Sequence, residues 1–418
     1  MGPSTEIIIR TEIDSKIPER DHPYKYSATI AGVKCMSARE PAERIELRRT
    51  VRGFVQTYLA PLEAEVDAAD EVNPATMQRL REEARKLGLY GYNMPVELGG
   101  PGLTLLEQTV IAEEVGRTSM PLSAAIGRML GSLRFCDAAQ QEWLLDPLMR
   151  AETTIAYALT EPDAGSDLNA LRTRARRVDG GWVVSGSKQF ISHADTADHI
   201  IVLAVTDTEA KLTGRLTTLI LPRGTKGLTM TRRFRKAGWR GYHLAAFSLD
   251  ECFVPDSHVL GKPGRGFETM MATVNNDRLH VASRCVGLAS AAFELAAKYA
   301  RERKTFGKPL GDHQAVQFAL ADSDVEIQAA RLLAREAAEL GDAGDPGFRI
   351  AASRAKLYSS EMAGRVTDRA MQIFGGAGYM TDLPIERYWR DARGFRIGEG
   401  TSEMQRIQIG RAVLDSFA

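Results

Sequence analysis

The chain has 418 residues, 44% hydrophobic and 26% charged, enough to bury a large core and to divide into two or three domains. Lys+Arg and Asp+Glu both total 54, so there is no charge excess to draw the chain to nucleic acid or to an anionic membrane. Cys35, Cys136, Cys252 and Cys285 lack metal-ligand spacing, the histidines form no ligand set, and apolar runs such as Ile200 to Val205 are too short to span a bilayer, so neither disulfides, a metal nor a membrane anchor is expected. Acids are mixed with bases around Ile7-Ile8-Ile9, which fits neither a secretory nor a mitochondrial signal, and the expected location is the cytoplasm.

Residues 1–38 are polar and irregular and are expected to form an extension that carries no identifiable chemistry. From Leu47, the positions Val51, Phe54, Val55, Tyr58, Leu59, Leu62 and Val66 recur at three and four, which predicts one helix face. Similar signals at Met77 to Leu87, Leu105 to Val115 and Leu122 to Met149 predict a helical domain over 39–153. From Thr154 the pattern changes to short β-branched and aromatic runs with turn signals between them. Asp179-Gly180-Gly181 separates Arg172–Val178 from Trp182–Ser185, and His199–Thr206, Leu216–Leu221 and His243–Phe253 follow, predicting an antiparallel, barrel-like β domain over 154–264. Helical periodicity returns after Phe267 through Val281–Ala300, Ala315–Glu339 and Ala351–Phe374, enough for a four-helix bundle over 265–418. The expected fold class is α+β and multidomain.

Two stretches look chemical. In Gly398-Glu399-Gly400-Thr401-Ser402-Glu403 a carboxylate stands between two glycines, which permit close approach and unusual backbone conformations, and the residues after it can cap the next helix. Taken alone, such a triplet is an ordinary solvated loop acid; on a cofactor site it is a poised base. Tyr157-Ala158-Leu159-Thr160-Glu161-Pro162-Asp163-Ala164-Gly165-Ser166-Asp167 sets hydroxyls and backbone donors around a tight turn, which suits a flavin's polar edge better than it suits a strand. No G-x-G-x-x-G follows a strand and no P-loop motif occurs, so a Rossmann or P-loop nucleotide site is not expected.

The Ala158 to Asp167 stretch resembles the first signature of the acyl-CoA dehydrogenase family. Gln372-Ile373-Phe374-Gly375-Gly376-Ala377-Gly378-Tyr379, continued by Asp382, Arg387 and Asp391, resembles the second. Arg301-Glu302-Arg303-Lys304-Thr305-Phe306-Gly307-Lys308 is similar to the family's linking segment, and Gly398-Glu399-Gly400-Thr401 to its catalytic loop. All four occur in family order, and the likeness covers roughly residues 42–418.

The resemblance implies an FAD-dependent flavoprotein that converts an acyl-CoA to a trans-2-enoyl-CoA. It assigns the isoalloxazine and ribityl contacts to Tyr157, Leu159, Thr160, Ser166, Phe190 and Ser192, with Phe190 in place of the commoner tryptophan. Arg303, Thr305, Phe306, His313, Gln314, Gln372 and Gly376 are implied to hold the pyrophosphate and adenosine end of a neighbouring subunit's FAD, in a homotetramer or dimer of dimers. Thr401 and Glu403 join the cofactor set; Ser166, Asp277, Arg278, Gly398 and Gly400 join the substrate set. Glu399 is implied to remove the α-proton while its backbone N–H and a ribityl hydroxyl hold the thioester oxygen and hydride passes to flavin N5. An alternative base is Asp277, the shorter acid, at a helix position that some members use. The implied electron acceptor is an electron-transfer flavoprotein. Two other readings are weighed: flavin monooxygenases or oxidases on this scaffold, which tend to lack the loop glutamate, and a non-catalytic acyl-CoA-binding role, which would require eroded flavin contacts. Many straight-chain members carry a tyrosine before the glutamate, so Gly398 predicts room for branched or bulky acyl groups.

Overall fold

A computed structural model describes residues 40–417; Cys35 and the expected 1–38 extension lie outside the described residues. The first helix face is carried by α1 (Ala42–Phe54), a π turn at Val55–Leu59, a 3₁₀ turn at Ala60–Leu62 and α2 (Glu63–Ala69). Pro61 has no N–H to donate, so the ladder is re-registered around it instead of running straight to Val66. α3 (Pro74–Lys86) starts on Asn73, whose side chain accepts from Ala75 N and Thr76 N, with Pro74 at the first helical position. α4 (Leu105–Val115) starts on a reciprocal capping box between Thr104 and Glu107.

The continuous helical signal read over Leu122–Met149 is corrected by the structure. That segment is α5 (Met120–Ser123), two 3₁₀ turns, α6 (Ala138–Gln140), a π turn and α7 (Asp146–Met149). Gly127 ends the first piece with φ 55°, and Asp137 caps a new start.

The middle region comprises β1 (Ile155–Ala158), β2 (Arg174–Val178), β3 (Gly181–Ser192), β4 (His199–Val205), the single turn α8 (Leu212–Arg215), β5 (Leu216–Pro222), β6 (Leu228–Arg233), β7 (Leu244–Pro255) and β8 (Val259–Leu260). They form one sheet in the order β6-β7-β3-β2-β4-β5-β8, with β1 also beside β4. Most pairings are antiparallel as expected, but β1 runs parallel to β4 from Ile155↔His199 to Ala158↔Val202, and Arg174↔Val205 is a parallel contact as well. β1, β6 and β8 are additions to the expected strands, so the Tyr157 segment begins as a strand before it turns. β3 runs on to Ser192 because register shifts between Val184 and Gly186 and between Lys188 and Ile191 absorb extra residues, and the second leaves Phe190 at φ 57°.

The last region holds α9 (Gly266–Glu302), the hairpin β9 (Lys304–Thr305) and β10 (Lys308–Pro309), α10 (Gln314–Asp342), α11 (Phe348–Phe374), α12 (Ile385–Gly394) and α13 (Ser402–Asp415). α9, α10 and α11 make a bundle whose core is rich in alanine, including Ala289, Ala292, Ala330 and Ala363, with α12 and α13 against α11. α9 also crosses α4 so closely that a Cβ at Gly287 would stand 1.8 Å from the Glu113 carbonyl oxygen. Among the described residues no helix is long and apolar enough to cross a membrane.

Candidate active site

The Glu399 loop joins α12 to α13. Gly398 N donates to Gly394 O at 3.1 Å, Ser402 N donates to Arg396 O at 3.0 Å, and Thr401 Oγ1 caps α13 by accepting from Met404 N at 3.3 Å. Glu399 has φ 54°, a left-handed conformation costing a side-chain-bearing residue on the order of 1–3 kcal/mol, so the surroundings must impose it. Two donors do so. Lys356 on α11 is buried and donates Nζ to Gly400 O at 2.7 Å, and Gln405 Nε2 donates to the same oxygen at 3.0 Å.

Asp277 and Arg278 approach the same centre from α9. Asp277 Oδ1 is paired with Arg128 Nη2 at 2.6 Å. Arg278 Nη1 donates to Asn275 Oδ1 at 3.2 Å, Ser353 Oγ at 3.3 Å and Gln408 Oε1 at 3.0 Å, while its buried Nε has no partner. Glu399 is exposed to the cleft, yet protein crowds its carboxyl from every other side. Lost hydration, then the like charge of Asp277, push its pKa up to about 7 against the opposing charges of Arg128, Lys356 and Arg278. Solvent entering the open cleft moderates that shift, and a ligand that displaces the solvent strengthens it.

Around this pair lie the β-domain residues. The Tyr157 hydroxyl on β1 is buried without a partner, within electrostatic reach of Asp277 and Glu399. Leu159 O accepts Lys188 Nζ at 2.9 Å and Thr160 O accepts Gln189 N at 3.0 Å, while Ser166 is exposed beyond the turn. Lys188 is buried and paired with Glu161 at 2.8 Å, and Glu161 also accepts Arg172 N and Thr173 N, so one ion pair fixes the whole signature turn. The Tyr242 hydroxyl lies beside Ser192, and its ring meets His193 at 4.4 Å and Trp239 at 6.2 Å. Phe190 is 51% exposed and lies 4.7 Å from Phe234. Trp239 N donates to Asp391 Oδ1 at 2.6 Å, and burial pushes that carboxyl up to about 6. A Cβ at Gly398 would meet nothing nearer than Gly394 O at 3.8 Å and Trp239 Cη2 at 4.0 Å, so the room left by the missing side chain is bounded on one side by the indole.

A second group gathers at the far end of α9. Arg303 and Gln314 are exposed, Phe306 is 97% exposed, and Thr305 Oγ1 lies 3.2 Å from His313 Nε2. The exposed Gln372 and Gly376 flank Phe374, whose ring stacks on Tyr299 at 4.3 Å, next to this hairpin. Arg278 and Arg303 are separated by almost the whole remaining length of α9, roughly 37 Å at ~1.5 Å per residue.

Residues 41–152, 156–252 and 264–414 match the family models described as the N-terminal, middle and C-terminal domains of acyl-CoA dehydrogenase. The chain is 38% identical over 377 residues to the probable acyl-CoA dehydrogenase YngJ of Bacillus subtilis, covering 89% of this chain and 98% of that protein. It is 37% identical over 376 residues to the mitochondrial short-chain specific acyl-CoA dehydrogenase of Mus musculus, covering 89% and 90%. The structure of butyryl-CoA dehydrogenase from Megasphaera elsdenii superimposes with a TM-score of 0.82 at 32% identity, covering 90% of this chain and 99% of that one. The chain belongs to the acyl-CoA dehydrogenase family.

It is therefore an oxidoreductase, and its cofactor is FAD. The residues present fit that group. Tyr157, His193 and Trp239 each keep a buried polar atom without a partner, and Tyr242, in ring contact with the last two, ties them to Ser192 beside the exposed Phe190. Within one acyl-CoA dehydrogenase chain, Tyr157, Ser192, Asp277, Arg278 and Glu399 converge on one centre, whereas Arg303, Thr305, Phe306, His313, Gln314, Gln372 and Gly376 form a separate cluster. Thr401 Oγ1 is engaged as a cap, and Glu403 is exposed, 3.6 Å from Arg406. Sequence reasoning passed over Arg128, Glu161, Lys188 and Lys356. Lys356 had a signal, since it falls on an apolar face beside Ala352 and Ala355. Among the described residues no set of three or more His, Cys, Asp or Glu is placed to hold a metal.

Proposed function

We propose that Glu399 removes the α-proton of an acyl-CoA thioester and that the product is a trans-2-enoyl-CoA. The observation that carries this reading is Glu399 itself, a carboxylate locked in a left-handed loop with its pKa pushed up to about 7, near the working pH of a general base. Asp277 is held by Arg128, which supports Glu399 over it as the base. The N–H of Glu399 is assigned to the thioester oxygen, where a hydrogen bond favours the developing enolate. When bound, FAD supplies the acceptor for the β-hydride. Tyr157, Leu159, Thr160, Ser166, Phe190 and Ser192 are assigned to its reactive end, and Gly398 and Gly400 leave the backbone bare where the thioester lies.

The second cluster is assigned to the FAD of a neighbouring copy in a homotetramer. Its distance from Glu399 along α9 supports this, and so does the exposed apolar stripe of Phe318, Val325 and Leu332 on α10, at seven-residue spacing. An electron-transfer flavoprotein is the assigned acceptor, and the presence of Glu399 disfavours monooxygenase or oxidase chemistry. Anaerobic titration of the purified yellow protein tests the reading: acyl-CoA should bleach the flavin absorbance with formation of enoyl-CoA. A flavin that no acyl-CoA bleaches overturns it.

A further inference from the structure

Arg284 on α9 takes no part in the proposed proton transfer, yet it is only 6% exposed. Four other enclosed guanidiniums each face a carboxylate: Arg117 with Glu294, Arg128 with Asp277, Arg387 with Glu63 and Arg390 with Asp67. Among the described residues Arg284 has no carboxylate within ion-pair distance, and its buried Nε has no partner. Asp391 attracts it from farther off, but Oδ1 of that carboxylate already accepts Trp239 N at 2.6 Å. A guanidinium keeps its proton inside a protein, so Arg284 is a desolvated charge without an ion-pair partner.

Its neighbours connect it to the cofactor centre. The guanidinium lies within electrostatic reach of Tyr92 and of Tyr242, and Tyr242 stands beside Ser192 and meets the His193 and Trp239 rings. Arg284 also lines a hollow with Trp239, Ser119 and Asp391 that has room for about one water. Trp239 Nε1 and Ser119 Oγ are buried there without partners, so a single water suits the hollow. Such a water supplies hydrogen bonds but no charge. The Phe395 ring, 6.0 Å from Arg284 Cζ, adds only a weak attraction. A positive field therefore persists behind Tyr242 and Trp239, two of the aromatic residues that bound the centre.

In the proposed reaction a hydride carries two electrons from Cβ to the flavin while the α-proton goes to Glu399, so the flavin gains one negative charge. We propose that Arg284 is a positioning charge whose field favours reduced over oxidised FAD. The inference rests on the proposed function, which sets the reactive end of FAD against Tyr157, Phe190 and Ser192. Spectroelectrochemical titration of the holoenzyme without thioester tests it. Arg284→Gln should shift the equilibrium about tenfold toward oxidised FAD, a fall of ~30 mV for two electrons, as expected of one charge acting across a layer of side chains. If this variant fails to hold FAD, Arg284→Met gives the same readout. Ser119→Ala, which alters the same hollow and leaves the charge in place, should keep the natural potential. A potential unmoved by the neutral variants overturns the inference, and so does an equal fall in Ser119→Ala, which would make the effect one of packing. Bleaching of the natural holoenzyme by acyl-CoA with the potential unmoved in the variants removes this inference alone, whereas no bleaching by any acyl-CoA removes the proposed function beneath it.

Discussion

The two ends of α9 use similar residues in opposite ways. In its first half, Asp277 and Arg278 are enclosed and partnered, by Arg128 on one side and by Ser353 and Gln408 on the other. After its last turn, Arg303, Phe306 and Gln314 face solvent beside a small hairpin. The difference separates enclosed, partnered groups from an exposed cluster, the one the proposed function assigns to a neighbouring copy. Arg278 keeps a buried Nε without a partner, whereas the Phe306 ring is 97% exposed.

The largest effect that sharpens this contrast is expected at the exposed end. Arg303→Ala should lower FAD affinity by about 10–100-fold through loss of a charge-assisted contact, and should loosen the oligomer with it, because a ligand shared between copies links the two equilibria. Flavin absorbance and light scattering on the same sample check this, and a variant that keeps full flavin and its assembly breaks the comparison.

At the enclosed end, Lys356→Met removes the bond to Gly400 O and one positive charge facing Glu399. Turnover should fall about 10-fold for a lost charged hydrogen bond. Because Lys356 lowers the Glu399 pKa, the acid limb of the pH profile should also move to higher pH. An unmoved limb means that Lys356 only packs.

Asp277→Asn should act in the opposite direction with a smaller loss of rate. It removes a like charge and frees Arg128, and both changes lower the Glu399 pKa. Glu399 is then ionised at lower pH, so the acid limb, expected near 7 in the natural chain, moves down. Loss of nearly all activity on this substitution would instead make Asp277 the base. Gly398→Ala should change thermal stability by less than ~0.5 kcal/mol, since its Cβ would meet only ordinary contacts.

The features legible in the sequence were local ones. The Leu105–Val115 periodicity coincides with α4 because the Thr104–Glu107 box fixes its start, and the Gly398-Glu399-Gly400 loop was visible because glycine and carboxylate are adjacent. Periodicity over Leu122–Met149 failed because it does not register where Gly127 turns left-handed or where Asp137 restarts a helix. β1 was missed as a strand because its partner β4 begins more than forty residues later, at His199 opposite Ile155. Lys188 looks like a surface residue in a sequence and Lys356 offers only its alanine-lined helix face as a hint; their partners, Glu161 and the Gly400 carbonyl, are brought to them only by the folded chain. Arg128 and Asp277 stand in different domains, so nothing local announces their pairing.

The account depends most directly on Glu399 as the base that one chain supplies complete. Stopped-flow mixing of acyl-CoA with anaerobic Glu399→Gln holoenzyme measures the flavin reduction step itself. The result expected is near-normal FAD content and thioester binding with reduction slowed by ~10²–10⁴-fold, the usual contribution of a positioned base. Reduction at close to the natural rate would contradict the account and move the proton transfer to another residue.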